Sequence, residues 1–153
     1  MMTFSKIITT CLGIGYIRKG GGTYASIVTL LVWYALQAGG HDSPNGQLIA
    51  VILLLALGIF CGTVVEKEWG KDSYRVVIDE AAGMCITVLY IPVNRWDYLL
   101  TGLILFRVMD IFKPLYIRRV EKLPGGWGVM MDDVVAAVYA YLILRLIITM
   151  HIF

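Results

Sequence analysis

Five carboxylate side chains lie inside or at the border of apolar stretches, where charged residues are uncommon. They are five of the eleven acidic residues in the chain, namely Asp79, Glu80, Asp110, Asp132 and Asp133. Carboxylates gathered in a partly desolvated place repel one another unless a cation neutralises them. Carboxylate and water ligands select hard divalent ions such as magnesium, manganese or calcium over zinc. The acids therefore predict a metal site, with Asp79, Glu80, Asp132 and Asp133 as its ligands.

Basic side chains follow the third acidic position closely. Arg107, Asp110 and Lys113 are spaced i, i+3 and i+6, so on a helix neighbouring members share a face. Arg118 comes soon after them and is a further candidate for contact with substrate. Because the basic groups stand beside a predicted cation site, we expect an anion to bind between them.

Two glycine runs, 20–22 and 125–126, precede apolar segments and could let a backbone approach a phosphate closely. The candidate phosphate-binding residues here are Thr23 and Ser26, which follow the first run, and Gly126, which lies in the second. Helix N-termini add partial positive charge and free N–H groups at such positions.

Other chemistries are less favoured by the sequence. The two histidines, His41 and His151, are expected at the opposite end of the fold, which argues against a histidine nucleophile or a zinc site. The three cysteines have neither disulfide nor metal spacing. Thiol-phosphatase (Cys-x5-Arg) and Asp-x-Asp patterns do not occur. The sequence therefore favours a reaction that uses a bound metal ion and an oxygen nucleophile.

Composition places these residues in a membrane protein. Of the 153 residues 59% are hydrophobic and 16% are charged, and the mean hydropathy is +0.77, which is far above that of a soluble domain. The net charge of +2 gives no indication of nucleic-acid binding. The length suits one integral-membrane domain over residues 1–153.

The fold class predicted is an all-α polytopic helical bundle with about five membrane segments and a short N-terminal amphipathic helix. Two segments are uncharged and long enough to cross ~30 Å of hydrocarbon, while three are interrupted by charges. The amphipathic helix is indicated by Phe4, Ile7, Ile8, Cys11 and Leu12 at helical spacing. The five segments are Gly20 to Gly40, Ser43 to Val65, Val76 to Val93, Tyr98 to Lys113, and Asp132 to Met150.

Loop charges orient this bundle with its N-terminus in the cytoplasm, because lysine and arginine concentrate in alternate connections. With that orientation, the acidic pairs, the Arg107 to Lys113 stretch and both glycine runs all fall at the cytoplasmic ends of their segments. Residues distant along the chain can therefore meet at one membrane face.

Each feature also has a purely structural explanation. Asp132 and Asp133 could complement a helix macrodipole, and Arg107 could merely neutralise Asp110. Thr23 or Ser26 could be an ordinary N-cap, and Arg118 could contact anionic lipid. The conjunction at one face favours a metal-assisted reaction on a phosphorylated lipid head group.

Four blocks in this order resemble the bacterial phosphatidylglycerophosphatase A family. They are G-G-T-Y-A-S at 21–26, D-E-A-A-G at 79–83, F-R-V-M-D-I-F-K-P at 106–114 and G-G-W-G-V-M-M-D-D-V-V-A-A at 125–137. The last two are the specific ones, and the blocks together span most of the chain.

The resemblance implies a magnesium-dependent phosphatase of the bacterial inner membrane that hydrolyses phosphatidylglycerol phosphate to phosphatidylglycerol at the cytoplasmic face. We expect Asp79, Asp110, Lys113 and Asp133 to be catalytic, and Arg107 with Lys113 to neutralise the phosphate. Metal-activated water is the favoured nucleophile, and attack by an aspartate stays open.

Two other functions use the same features. A phospholipid head-group transferase would need the same metal and membrane face, together with an Asp-x3-Asp-type run that the sequence lacks. A small cation channel or carrier would use the acids as a vestibule, but Arg107 and Lys113 would then repel the ion.

Overall fold

The computed structural model describes residues 1–41, 43–92, 94–113, 117–120 and 123–152, without the side chains of residues 118 and 119. Within these ranges the fold is all-α, as the sequence predicts. A short 3-10 turn, Ile14–Tyr16, joins the first two helices. The helices are α1 (Met2–Thr9), α2 (Gly21–Ala38), α3 (Pro44–Trp69), α4 (Ile78–Thr87), α5 (Trp96–Phe112), α6 (Ile117–Val120) and α7 (Gly126–Thr149).

Two helices, α4 and α7, form the centre of the bundle. Helix α4 contacts α2, α3, α5 and α7, and α7 contacts α3, α4, α5 and α6. The central position suits α4 because much of it is built from small side chains, and eight of its ten residues are buried. Gly83 lies so close to the Phe106 ring that a methyl group at residue 83 would overlap it. The approach of α5 to α4 therefore depends on Gly83.

The contact between α3 and α7 depends on glycine in the same way. A methyl group at Gly126 would overlap the Ile59 carbonyl, which belongs to the backbone of α3 and cannot swing aside. The N–H of Gly126 donates to the Thr63 hydroxyl oxygen at 2.9 Å. One turn away, Gly58 leaves room for the Met130 side chain. Small residues on α3 thus hold the beginning of α7 at short range.

The third predicted segment, 76–93, contains a much shorter helix than its apolar length suggests. Helix α4 has ten residues and ends at Thr87, so it extends only ~15 Å, about half of the hydrocarbon thickness. The chain then turns at Tyr90, whose φ is +59° and whose N–H donates to Gln47 at 2.9 Å. Pro92 follows, and a proline cannot extend a helix hydrogen-bond ladder. Val93, the predicted end of this segment, lies outside the described residues.

The last predicted segment begins earlier than expected. Helix α7 starts at Gly126, and its first turn contains no acidic residue. The prediction that the segment opens with Asp132 and Asp133 is therefore wrong, since both acids lie in the second turn. The second glycine run thus lies at the start of the helix: Gly125 is its N-cap, and Gly126 and Gly128 are buried in its first turn.

The N-terminal amphipathic helix is present but shorter than its apolar pattern. Helix α1 ends at Thr9, whose hydroxyl donates to the Ser5 carbonyl oxygen at 2.8 Å. Cys11 and Leu12 lie beyond it in a turn with φ values of 46° and 59°. Ser5 and Thr9 are buried, and Met2 and Ile8 pack against the buried cluster that contains Val65, so α1 contacts α3 through polar and apolar side chains alike. Phe4 and Ile7, in contrast, are exposed. This orientation suits a helix in an apolar interface.

By length and composition, one helix within the described ranges is able to cross a bilayer. It is α3, whose most apolar stretch has a mean hydropathy of 2.9 and is 28% buried. Helices α2 and α5 have 18 and 17 residues, and α7 carries Asp132, Asp133 and Arg145 within its length. The arrangement with five membrane segments stays a prediction.

We predict that Gly126→Ala lowers the thermal unfolding midpoint in detergent, because the added methyl group must push α3 and α7 apart. Overpacking of this kind costs about 1–3 kcal/mol. Gly46→Ala is the matched control, since a methyl group there meets only Ser43, at 3.5 Å, and alanine has the higher helix propensity. Equal midpoints for the two variants would contradict the role of Gly126 in packing.

Candidate active site

A polar cavity of about 280 Å³ lies where α2 and α4 begin and α5 ends. It brings together the two predicted acidic pairs, the predicted basic residues and the first glycine run. The lining residues are Ile17, Arg18, Gly20, Gly21, Gly22, Asp72, Ser73, Tyr74, Val76, Asp79, Glu80, Arg107, Asp110, Lys113, Asp132 and Asp133. Six carboxylates face three cationic side chains in this lining, so the cavity has an excess of negative charge.

The first acidic pair, Asp79 and Glu80, lies in the first turn of α4. Carboxylates are favourable there because the helix N-terminus carries a partial positive charge. Asp79 is 9% exposed. Glu80 can lie against α2 only because residue 22 is glycine, since a methyl group at Gly22 would overlap the Glu80 carboxylate. The glycine run therefore makes room for a carboxylate of α4.

The two residues of the second acidic pair, Asp132 and Asp133, differ in their hydrogen bonding. Asp132 accepts a hydrogen bond from the Lys113 ammonium at 2.6 Å through Oδ2. Its other oxygen, Oδ1, accepts the backbone N–H of Asp133 at 3.0 Å. Asp133 is 3% exposed, and its Oδ2 has no hydrogen-bond partner among the described residues. The two neighbours therefore differ: Asp132 is engaged by Lys113, while Asp133 presents an oxygen with no hydrogen-bond partner.

Three of the four predicted metal ligands come together. One carboxylate oxygen from each of Asp79, Glu80 and Asp133 lies within 4.8 Å of the other two. Asp132, the fourth predicted ligand, is outside this group because it pairs with Lys113. The predicted meeting of the 79–80 and 132–133 pairs is nevertheless observed, although the pairs are more than fifty positions apart in sequence.

The oxygens of this group fit a hard cation. Asp79 Oδ1, Glu80 Oε2 and Asp133 Oδ2 are buried and have no hydrogen-bond partner among the described residues. Buried polar atoms normally have partners, and three nearby carboxylates are unfavourable without positive charge. A divalent ion with oxygen ligands would supply both a partner for these oxygens and the missing positive charge. We call Asp79, Glu80 and Asp133 the acidic triad.

Arg107 lies beside the triad and neutralises part of its charge. Its Nη1 is 2.7 Å from Asp110 Oδ2, one turn along α5, and 3.8 Å from Glu80 Oε1. Its Nε is buried and has no hydrogen-bond partner among the described residues. A guanidinium can bind two oxygens of a phosphate side by side. Arg107 thus has a donor left for an anion in the cavity.

Lys113 ends α5 in a left-handed conformation, with φ +44° and ψ +58°. This backbone region costs a non-glycine residue on the order of 1 kcal/mol or more. The ion pair with Asp132 holds the Lys113 side chain at the cavity in this conformation. The strained turn therefore directs the ammonium toward the second turn of α7.

Several predicted phosphate-binding residues lie elsewhere in the described structure. The Ser26 hydroxyl donates to the Gly22 carbonyl oxygen at 2.9 Å. Thr23 is half-buried and, like Ser26, is not part of the lining of the cavity. Gly126 packs against α3, where its N–H is taken by Thr63. The side chain of Arg118 lies outside the described part of the chain.

Sequence reasoning missed the contribution of two connections. Arg18 is one of the lysine and arginine residues of the connections, which the sequence analysis uses only to orient the bundle, and residues 72–74 are not among its candidates. The structure places Arg18 and Tyr74 in the cavity lining. Hydrogen bonding to Arg75, and then to Arg18, lowers the pKa of the exposed Tyr74 hydroxyl. Neither residue has a motif or a periodic pattern that could have identified it.

Comparison with known proteins gives one family and several relatives. A sequence profile of the family described as Phosphatidylglycerophosphatase A matches residues 7–148. A Bacteroides thetaiotaomicron protein, named provisionally as a phosphatidylinositol-3-phosphatase, is 37% identical over 145 residues, covering 90% of this chain and 89% of that protein. No solved structure matches the chain.

Two further relatives carry the name phosphatidylglycerophosphatase A. The Escherichia coli protein is 32% identical over 119 residues, covering 76% of this chain and 67% of its own length. The Haemophilus influenzae protein is 34% identical over 140 residues, covering 90% of this chain and 84% of its own length.

We predict that Asp79→Asn weakens the binding of Mn²⁺, used as a paramagnetic probe for a hard divalent ion, by roughly tenfold or more. The substitution keeps the shape of the side chain but removes a charge from the triad. Asp132→Asn should weaken binding less, because Asp132 pairs with Lys113. Electron paramagnetic resonance titration of the purified protein measures the affinities.

Asp97→Asn serves as the control for that titration, since Asp97 pairs with Arg95 at 2.5 Å and does not line the cavity. Equal Mn²⁺ affinities for the wild type, Asp79→Asn and Asp97→Asn would show that the acidic triad is not the metal site.

Proposed function

This chain belongs to the phosphatidylglycerophosphatase A family, and from that premise we propose that it hydrolyses phosphatidylglycerol phosphate to phosphatidylglycerol and phosphate with the help of Mg²⁺. The observation that carries the proposal is the acidic triad, whose oxygens lie within 4.8 Å of one another in the cavity that also contains Arg107 and Lys113. A phosphate monoester needs both kinds of group, because a cation and basic donors must neutralise the charge that builds on its oxygens.

The residues take the following roles in this proposal. Asp79, Glu80 and Asp133 would hold the Mg²⁺, which when bound would polarise the phosphate and lower the pKa of water. Arg107 offers its Nε to a phosphate oxygen, and Asp110 orients Arg107 through their ion pair. This gives Asp110 a positioning role, whereas the sequence analysis expects it to be catalytic.

Lys113 and Asp132 act as a second pair at the cavity. The Lys113 ammonium balances charge on the phosphate, and Asp132 keeps it in place at 2.6 Å. In the overall hydrolysis the oxygen of water forms the new P–O bond, the ester P–O bond breaks, and the departing alkoxide takes up a proton. An ammonium next to the departing oxygen lowers the cost of that charge.

The membrane location belongs to the same proposal. A lipid substrate, the apolar composition and the membrane-capable α3 support a multi-pass protein of the bacterial inner membrane with its cavity facing the cytoplasm. In that placement the head group reaches the cavity from the inner leaflet while the acyl chains stay in the bilayer.

A second substrate is favoured by one comparison. The Bacteroides thetaiotaomicron relative, named provisionally as a phosphatidylinositol-3-phosphatase, is 37% identical to this chain. Phosphatidylinositol 3-phosphate also carries a terminal monoester on a lipid head group. The same residues would act on it, and the difference would lie in how the cavity accommodates glycerol or inositol.

We predict that the purified protein in mixed micelles releases phosphate from phosphatidylglycerol phosphate in the presence of Mg²⁺. A chelator should stop the release, and added Mg²⁺ should restore it. Phosphatidylinositol 3-phosphate is assayed in parallel, and a higher kcat/KM for that lipid would replace our substrate assignment by the second one.

Asp133→Asn should lower kcat/KM by on the order of a hundredfold or more, because several kcal/mol of charge stabilisation depend on the metal. Asp97→Asn, which leaves the cavity unchanged, should retain wild-type kinetics. A phosphatase that works at the normal rate with the chelator present would refute the metal-dependent mechanism.

Replacing Lys113 separates catalysis from metal binding. We predict that Lys113→Met loses most of its turnover but keeps its Mn²⁺ affinity within a few-fold, since Lys113 forms an ion pair with Asp132 and the acidic triad is formed by Asp79, Glu80 and Asp133. Lys71→Met is the control, because Lys71 is an exposed lysine outside the cavity lining. Ordinary kinetics for Lys113→Met would show that this lysine is only a loop charge.

A further inference from the structure

The cavity contains a cation that the proposed hydrolysis does not use. Arg18 lines the cavity from the connection that precedes α2, on the side of the glycine run. The other two cationic residues of the lining are committed, because Arg107 pairs with Asp110 and Glu80, and Lys113 pairs with Asp132. No ion pair joins Arg18 to a carboxylate within the described part of the chain. Its positive charge is therefore available to a ligand.

Tyr74 gives this part of the cavity a second donor. It lines the cavity from the connection between α3 and α4. Arg75 lies over the Tyr74 ring at 5.3 Å and over the Trp69 ring at 5.3 Å, which places Tyr74 near the end of α3. The side chains of Arg18 and Tyr74 are hydrogen-bonded neighbours, and both line the cavity, one from each connection.

The substrate class explains why a second anion subsite would be useful. Phosphatidylglycerol phosphate carries two phosphorus groups, the terminal monoester and the phosphodiester that links the head group to the lipid. The monoester belongs with the acidic triad, Arg107 and Lys113. The phosphodiester is a monoanion that must come near a cavity with more acidic than basic side chains, so it needs a cation of its own.

We propose that Arg18 and Tyr74 form a subsite for the phosphodiester of the lipid substrate, distinct from the subsite that holds the reacting phosphate. This inference rests on the proposed function. A guanidinium binds two phosphate oxygens at once, and a phenol hydroxyl can donate to one of them. A subsite in the same cavity as the acidic triad would favour lipids that carry both phosphorus groups. Phosphatidylinositol 3-phosphate has the same pair of groups.

The test compares inhibitors that fill one subsite each. Phosphatidylglycerol has the phosphodiester but no monoester, whereas inorganic phosphate resembles the monoester alone. We expect Arg18→Gln to raise KM for phosphatidylglycerol phosphate and the inhibition constant of phosphatidylglycerol by about tenfold, the loss of one charged hydrogen bond. The inhibition constant of inorganic phosphate and kcat should change less than twofold, and Arg18→Lys should recover part of the loss.

Lys19→Gln is the matched control, because it removes the same charge from the next residue, which does not line the cavity. It should leave KM and both inhibition constants near wild type. Equal effects of Arg18→Gln and Lys19→Gln would reduce the role of Arg18 to general attraction of anionic micelles and overturn the subsite. An unchanged inhibition constant for phosphatidylglycerol, or an equal rise for inorganic phosphate, would overturn it too.

The outcome also separates the two proposals. A wild-type protein that releases no phosphate from phosphatidylglycerol phosphate refutes the proposed function, and the subsite with it. An active wild type whose Arg18→Gln variant has normal constants refutes the subsite alone.

Discussion

Repulsion among buried carboxylates is the constraint on which this structure depends. Asp79, Glu80 and Asp133 place oxygens within 4.8 Å of one another. Asp79 and Asp133 are buried, and the Glu80 side chain is 16% exposed. Their charges must be compensated locally, because water screens little at such depth. Arg107 supplies part of that compensation, and a divalent cation would supply the rest. A function that needs concentrated negative charge is thus the simplest reason for keeping an arrangement that costs stability.

Glycine and alanine in the helices make the approach of these acids possible. Gly22 leaves room for the Glu80 carboxylate, and Gly83 admits the Phe106 ring beside α4. Gly126 brings the beginning of α7 against α3. With larger residues at these positions, α4 would be held away from its neighbours and the oxygens of α4 and α7 could not share one ion. Helix packing and site chemistry therefore depend on the same small residues.

Much of the site could be predicted from sequence because a charge inside an apolar segment is conspicuous. Asp79, Glu80 and Arg107 were found in that way, and the family resemblance is confirmed by the comparisons. Pairing could not be predicted, since nothing in sequence distinguishes Asp132, held by Lys113, from Asp133 beside it. The positions of the helix ends could not be predicted either. Helix α4 ends at Thr87, and the turn that follows is stabilised by a hydrogen bond from the Tyr90 N–H to the Gln47 side chain, which is 43 residues away in sequence.

The short length of α4 has a consequence for the route by which a product leaves the cavity. Beyond its acidic first turn, α4 and the residues that follow it are buried in the apolar core. Met84 of α4, and Val88 and Ile91 after its end, belong to the same cluster of buried side chains as Leu99 and Leu144. Among the described residues, an apolar core thus lies beyond the acidic end of α4, and it is an unfavourable route for a hydrated anion. Under the proposed function, phosphate would leave through the polar cavity that admits the head group and would return to the compartment that supplied the substrate.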